Sequence, residues 1–192
     1  IETIIREEMN ALGAHEVLLS ALSPKEVWEK TNRWVGFDAL FKVPAHSDAE
    51  YGLNPTHEEV ITPLVKHFVQ SHTDLPFGCY QIQTKFRNEP RAKSGLLRGR
   101  EFGMKDLYSF HANDESLNEY YERVAEAYRT IFKRVGLADA LYYTTATGGS
   151  FSPFSHEFQV LLPQGEDVIY ISEEEESKGR EGMLRDWTCN SS

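Results

Sequence analysis

The stretch Phe86–Asp106, FRNEPRAKSGLLRGREFGMKD, sets the reading of the whole chain. Between Gln81 and Asp106 stand seven Lys or Arg residues (85, 87, 91, 93, 98, 100, 105) against three acids (89, 101, 106). This local charge of +4 lies in a chain of net −10, so everything else sums to −14. A basic island in an acidic chain is expected to face something anionic. Before it, YQIQTKFRNE alternates as a strand does, with Tyr80, Ile82 and Phe86 on one side and Gln81, Gln83, Lys85, Arg87 and Glu89 on the other. A loop with Pro90 and Gly95 follows, and REFGMKDLYSF reads as a returning antiparallel strand. Arg87 and Glu89 share a face, and Arg98, Phe102 and Asp106, spaced by four, share one too. A nucleotide needs these groups: guanidinium for phosphate, an aromatic for the base, a carboxylate for an exocyclic amine. An ordinary hairpin with a salt-bridge ladder and a core Phe has the same spacing, and spacing alone leaves both readings open.

Working outward, the first residues form an amphipathic helix with Ile1, Ile4, Ile5, Met9 and Leu12 on one face and Gly13 as its stop. HEVLLSAL has strand length. SPKEVWEK reads as a helix capped by Ser23, with Pro24 at its first position and Glu26 completing a capping box. PTHEEVITPLVKHFVQS returns to helical spacing, with Val60, Ile61, Leu64, Val65, Phe68 and Val69 as the buried face. A long helix follows the hairpin, capped by Asn113 or Asp114, with a stripe of Leu117, Tyr121, Val124, Tyr128, Ile131, Phe132 and Val135. ALYYTTA, HEFQVLL and DVIYIS supply further strands. Front-loaded helices and hairpin-connected strands predict an α+β fold, an antiparallel sheet flanked by helices.

At 192 residues and 40% hydrophobic content the chain can bury one core. Its acidity argues against a broad electrostatic grip on nucleic acid. Cys79 and Cys189 lie far apart without a CxxC partner, so neither a disulfide framework nor a metal cluster is expected. Cysteine usage and the lack of a long apolar run predict a cytoplasmic protein with no membrane span. The opening inside a helix and the acidic run 173–192, read as a solvated linker or tail, predict a piece of a larger protein.

Phe86-Arg87-Asn88-Glu89, then Arg98, Phe102 and Asp106 at spacings of four, resembles the second signature motif of class II aminoacyl-tRNA synthetases, most closely the prolyl-tRNA synthetases. IIREEMNALGAHEVLLSAL resembles their first motif, NPTHEEV their Thr-x-Glu loop, and GGSFSPFSHEFQVL a later substrate-pocket strand. The likeness covers residues 1–172, the expected catalytic core. The third motif is not found, and Ser20 stands where a proline is expected near the end of the first.

The resemblance implies activation of proline with ATP and Mg²⁺, transfer to tRNA(Pro), and a homodimer formed through the N-terminal helix and strand. Arg87 would contact the α-phosphate and the proline carboxylate, Glu89 the adenine amine, Arg98 the γ-phosphate, and Phe102 would stack on adenine. Thr56 and Glu58 would receive the proline nitrogen, and His156 would line the pocket. Thr56 and Glu59 are also spaced as a capping box, the stronger reading when taken alone. His156 alone reads more readily as a structural histidine. The alternative function is a synthetase-like binding module that keeps the fold without turnover.

Overall fold

The computed structural model describes residues 1–93, 95–148, 152–165 and 167–170. The tail read at 173–192 lies outside the described residues. Two compact units form, Ile1–Ala127 and a second beginning at Tyr128.

In the first unit, α1 (Glu2–Ala11) buries Met9, and its end is turned by Gly13 at φ +80, a conformation that suits glycine. The strand read in HEVLLSAL shrinks to β1 (His15–Glu16), which runs parallel to β5 (Phe77–Phe86). Beyond it, β5 side chains replace the ladder: Leu19 N–H donates to Gln81 Oε1 at 3.1 Å, and Gln83 donates to the Leu19 carbonyl. β5 pairs antiparallel with β6 (Glu101–Phe110), as expected, and the sheet order is β1-β5-β6.

A second sheet, ordered β2-β4-β3, joins β2 (Leu22–Pro24), β3 (Phe41–Pro44) and β4 (Glu50–Leu53). Its pairing overrides the capping box read at Ser23. Ser23 is buried opposite Gly52, and α2 (Lys25–Glu29) starts after Pro24 with no side-chain cap. Trp28 of α2 and Trp34 of α3 (Arg33–Gly36) form a core with Leu40.

Helix α4 (Glu58–Phe68) packs Ile61 and Val65 against Cys79 of β5. Its buried face is narrower than the spacing implied, since Leu64 is 37% and Phe68 69% exposed. In α5 (Asp114–Arg134), Asn113 is the cap, its Oδ1 accepting from Ser116 N–H at 2.9 Å. Tyr120 and Ala127 are buried there, while Leu117 and Tyr121 of the expected stripe are exposed.

The second unit pairs β7 (Leu141–Gly148) antiparallel with β8 (Ser152–Val160). Tyr128, Phe132 and Tyr143 gather around the Phe158 ring. No strand forms over 167–170, and the remainder of DVIYIS lies outside the described residues.

Candidate nucleotide and amino-acid site

The register of the hairpin places Lys85 opposite Phe102 and Gln81 opposite Asp106. The polar face of β5 and the Phe102 face of β6 are therefore one surface. Arg87 stands just past the end of β5, where its N–H still donates to the Arg100 carbonyl at 2.9 Å. Its guanidinium lies 5.3 Å over the Phe102 ring centroid, within cation–π range. One nitrogen, Nη2, is 3.4 Å from the Pro55 carbonyl. Its Nε is buried and makes no hydrogen bond among the described residues. An unsatisfied buried donor is costly, so this is where an incoming acceptor would gain most.

Glu89 and Arg98 realise part of the ladder reading. Arg98 Nε is 3.4 Å from Glu89 Oε2, and Glu89 Oε1 accepts from Arg91 N–H at 3.1 Å. Both side chains keep access to solvent, as exchangeable partners must.

The Pro55 carbonyl ties Arg87 to the turn that carries Thr56 and Glu58. Here the capping reading fails. His57 is the N-cap of α4 with no side-chain cap, and Thr56 instead donates to the Glu58 carboxylate. Glu59 turns inward, accepting from Arg33 Nη1 at 2.8 Å and Thr31 Oγ1 at 3.1 Å. Consecutive carboxylates thus differ in depth, Glu59 buried and Glu58 partly open, though both face Arg33 Nη1, Glu58 Oε2 at 3.7 Å.

His156 belongs to the second unit. It lies exposed on β8 opposite Thr145, its ring stacked 4.8 Å from that of Tyr143.

Sequence reasoning missed what lies under the turn. Lys85, counted only as one cation of the basic island, is fully buried, with Nζ 3.0 Å from the Asp106 carboxylate. Its ammonium also donates to His57 Nδ1, while His57 Nε2 is 2.9 Å from the Ser20 carbonyl. Burial and the adjacent Lys85 charge hold the His57 imidazole below its ordinary pKa. Burial likewise lowers Lys85, and Asp106 partly opposes that shift. The Tyr108 phenol, which donates to Asp106 Oδ2 at 2.7 Å, is pushed up by burial. The clue available in the sequence was the run of long polar residues at alternate positions 81, 83 and 85.

A cavity of about 630 Å³ lies at the Phe110 end of the hairpin, lined by Val65, Val69 and His111. Phe102 is roughly 25 Å from Phe110 along the strand at the usual rise per residue. A smaller cavity of about 340 Å³ borders Glu58, Glu59 and Arg33. Among the described residues no group of three His, Cys, Asp or Glu is placed to hold a metal ion, and no helix is long and apolar enough to cross a membrane.

The model of the tRNA synthetase class II core domain (G, H, P, S and T) matches residues 41–177. The proline–tRNA ligase of Synechococcus sp. (strain CC9605) is 48% identical over 178 residues, 91% of this chain and 30% of the relative. That of Sulfurihydrogenibium sp. (strain YO3AOP1) is 51% identical over 174 residues, 90% of this chain and 31% of the relative. The chain therefore spans about 30% of the length of these curated relatives. Giardia lamblia prolyl-tRNA synthetase in complex with prolyl-adenylate superposes with a TM-score of 0.76 at 23% identity, over 84% of this chain and 34% of that one. The Cryptosporidium parvum enzyme with L-proline and AMP gives 0.71 at 17% identity, over 82% and 32%. At those identities the two structures speak for the α+β fold alone.

Proposed function

The chain belongs to the tRNA synthetase class II core domain family, and from that membership we propose that it is part of a proline–tRNA ligase. It activates proline with ATP and passes the prolyl group to tRNA(Pro). The relatives at about half identity are proline–tRNA ligases, which favours proline over the other amino acids of the family.

The observation that carries this reading is Arg87, stacked on Phe102 and leaning on Pro55 at the edge of the Thr56–Glu58 turn. In activation a proline carboxylate oxygen attacks the α-phosphorus. An O–P bond forms, the bond to the β-phosphate breaks, and pyrophosphate leaves with its electron pair. Two anions must meet, so the site has to neutralise and orient them; no base is required. Arg87 can reach both with its planar fork, and its unpartnered Nε supplies a donor. Phe102 stacks on adenine, Glu89 accepts from the exocyclic amine, and Arg98 takes the γ-phosphate, exchanging Glu89 for a stronger anion.

The proline nitrogen, protonated, carries two N–H donors. Thr56 Oγ1 and the Glu58 carboxylate offer two acceptors already bonded to each other, so they are pre-set for that pair. His156 is carried into this reading as a further proline-binding residue. Mg²⁺ is expected with the ATP phosphates, where it would offset their charge. A cytoplasmic homodimer paired through α1 and β1 completes the proposal.

Proline-dependent exchange between ATP and pyrophosphate tests it, with threonine, serine and alanine as controls. Exchange with proline above all three is expected. ATP binding without amino-acid-dependent exchange would instead support a binding module.

A further inference from the structure

The Thr56–Glu58 turn rests on a floor of buried polar side chains. Lys85, His57 and Gln81 are fully buried and Asp106 is 9% exposed. The residue between Thr56 and Glu58 is held at three points. The His57 N–H donates to Tyr108 Oη at 3.0 Å, the ring's Nε2 meets the Ser20 carbonyl, and its Nδ1 accepts from Lys85. Asp106 gathers the floor from the other side, accepting from Tyr108 at 2.7 Å, Gln81 at 3.0 Å and Lys85 at 3.0 Å. Asn54 Nδ2, just before the turn, donates to the same Ser20 carbonyl at 2.8 Å.

We propose that Lys85, Asp106 and His57 are positioning residues, a buried cation–carboxylate–imidazole cluster that fixes the turn presenting Thr56 and Glu58 and so sets affinity for the amino-acid nitrogen. This rests on reading that turn as the amino-acid site. The charge count explains the assembly. One cation and one anion cancel, and the imidazole stays neutral because its Nε2–H goes to a carbonyl and its Nδ1 lone pair to an ammonium. The groups facing His57 are Lys85 from β5, Asp106 and Tyr108 from β6, the Ser20 carbonyl, and Asn54 and Glu58 from its own segment. Without the ammonium, the Asp106 carboxylate would lose its cation, and the His57 ring, with Nδ1 3.9 Å away, would become the group able to balance it. Lys85 thereby governs both where the turn sits and whether His57 can take a proton.

The test is Lys85→Met in the full-length gene product. The KM for proline should rise about ten- to hundredfold, the usual penalty for a reacting group displaced by about an ångström, with the KM for ATP unchanged. Imidazole NMR should show His57 binding a proton at higher pH than in the unsubstituted protein, and the proline KM should improve over the same pH range. Should that variant not fold, Lys85→Met with Asp106→Asn removes both charges. Its proline KM should be raised and independent of pH through the His57 range. Equal rises in both KM values, an unchanged proline KM, or identical His57 titration in both proteins would overturn the proposal. No proline-dependent exchange in the unsubstituted protein would instead sink the reading of the turn, and the His57 titration would still decide the cluster.

Discussion

The Arg87 guanidinium and the Phe102 ring face each other at 5.3 Å across the mouth of the hairpin. Two strands bring them there, since Phe102 pairs with Lys85 and alternation carries the same face on to Arg87. The contact holds the guanidinium in one plane before any anion arrives, which spares part of the ordering cost of binding.

Arg87→Ala is expected to abolish proline-dependent exchange, and Arg87→Lys to recover little of it, because a point cation cannot serve carboxylate and phosphate together. Phe102→Ala should raise the KM for ATP well above that for proline, since base stacking contributes about 1–3 kcal/mol. A larger effect on proline than on ATP would place the adenine elsewhere.

Glu58 and Glu59 are neighbours with opposite fates. Glu59→Ala removes the buried partner of Arg33, which keeps the Glu58 carboxylate at 3.7 Å, and should destabilise the fold by about 1–3 kcal/mol. Glu58→Ala should leave the melting temperature nearly unchanged while removing proline dependence. Thermal melts and exchange assays on the two variants check this, and a stability loss confined to Glu58→Ala would reverse the assignment.

The hairpin was legible because period-two alternation and the charges at 87, 89, 98 and 106 act locally, within a pair of adjacent strands. Which side of it would be covered was not. Gln81 and Lys85 look like a solvated face in sequence, yet the lid over them comes from Ser20 and His57, distant in the chain. Ser23 shows the same limit. Its capping signal is local, but pairing with Gly52 takes the backbone into a sheet instead. Phe68 keeps the helical period of Ile61 and Val65, although only those two are buried in the core against the sheet.

Gly52 marks a close approach that no local pattern announces. A Cβ at this position would lie 2.9 Å from Leu40 Cδ1 and 2.9 Å from Trp28 Nε1, both in the packed core of the second sheet. Gly52→Ala should therefore cost about 1–3 kcal/mol through overpacking. A fall in the denaturant midpoint with unchanged slope checks it, and an unaltered midpoint would mean that Trp28 yields easily.

His57 makes stability depend on pH in a definite direction. Its folded pKa lies below the ordinary 6.5, because burial and the Lys85 ammonium both oppose a second cation. Protons therefore bind the unfolded chain first. The stabilisation is fully present above about pH 6.5 and is lost progressively as pH falls toward the lower folded value. Burial lowers His111 as well, so the two act together. The slope from His57 is bounded by about 1.4 kcal/mol per pH unit while its ring stays neutral in the fold. Between about pH 6.5 and 5.5 carboxylates remain ionised, which isolates the effect. Melting temperatures should fall over that interval, and His57→Gln should fall less steeply. A melting temperature constant or rising on acidification would mean that His57 is charged in the folded chain, with Lys85 no longer donating to its ring.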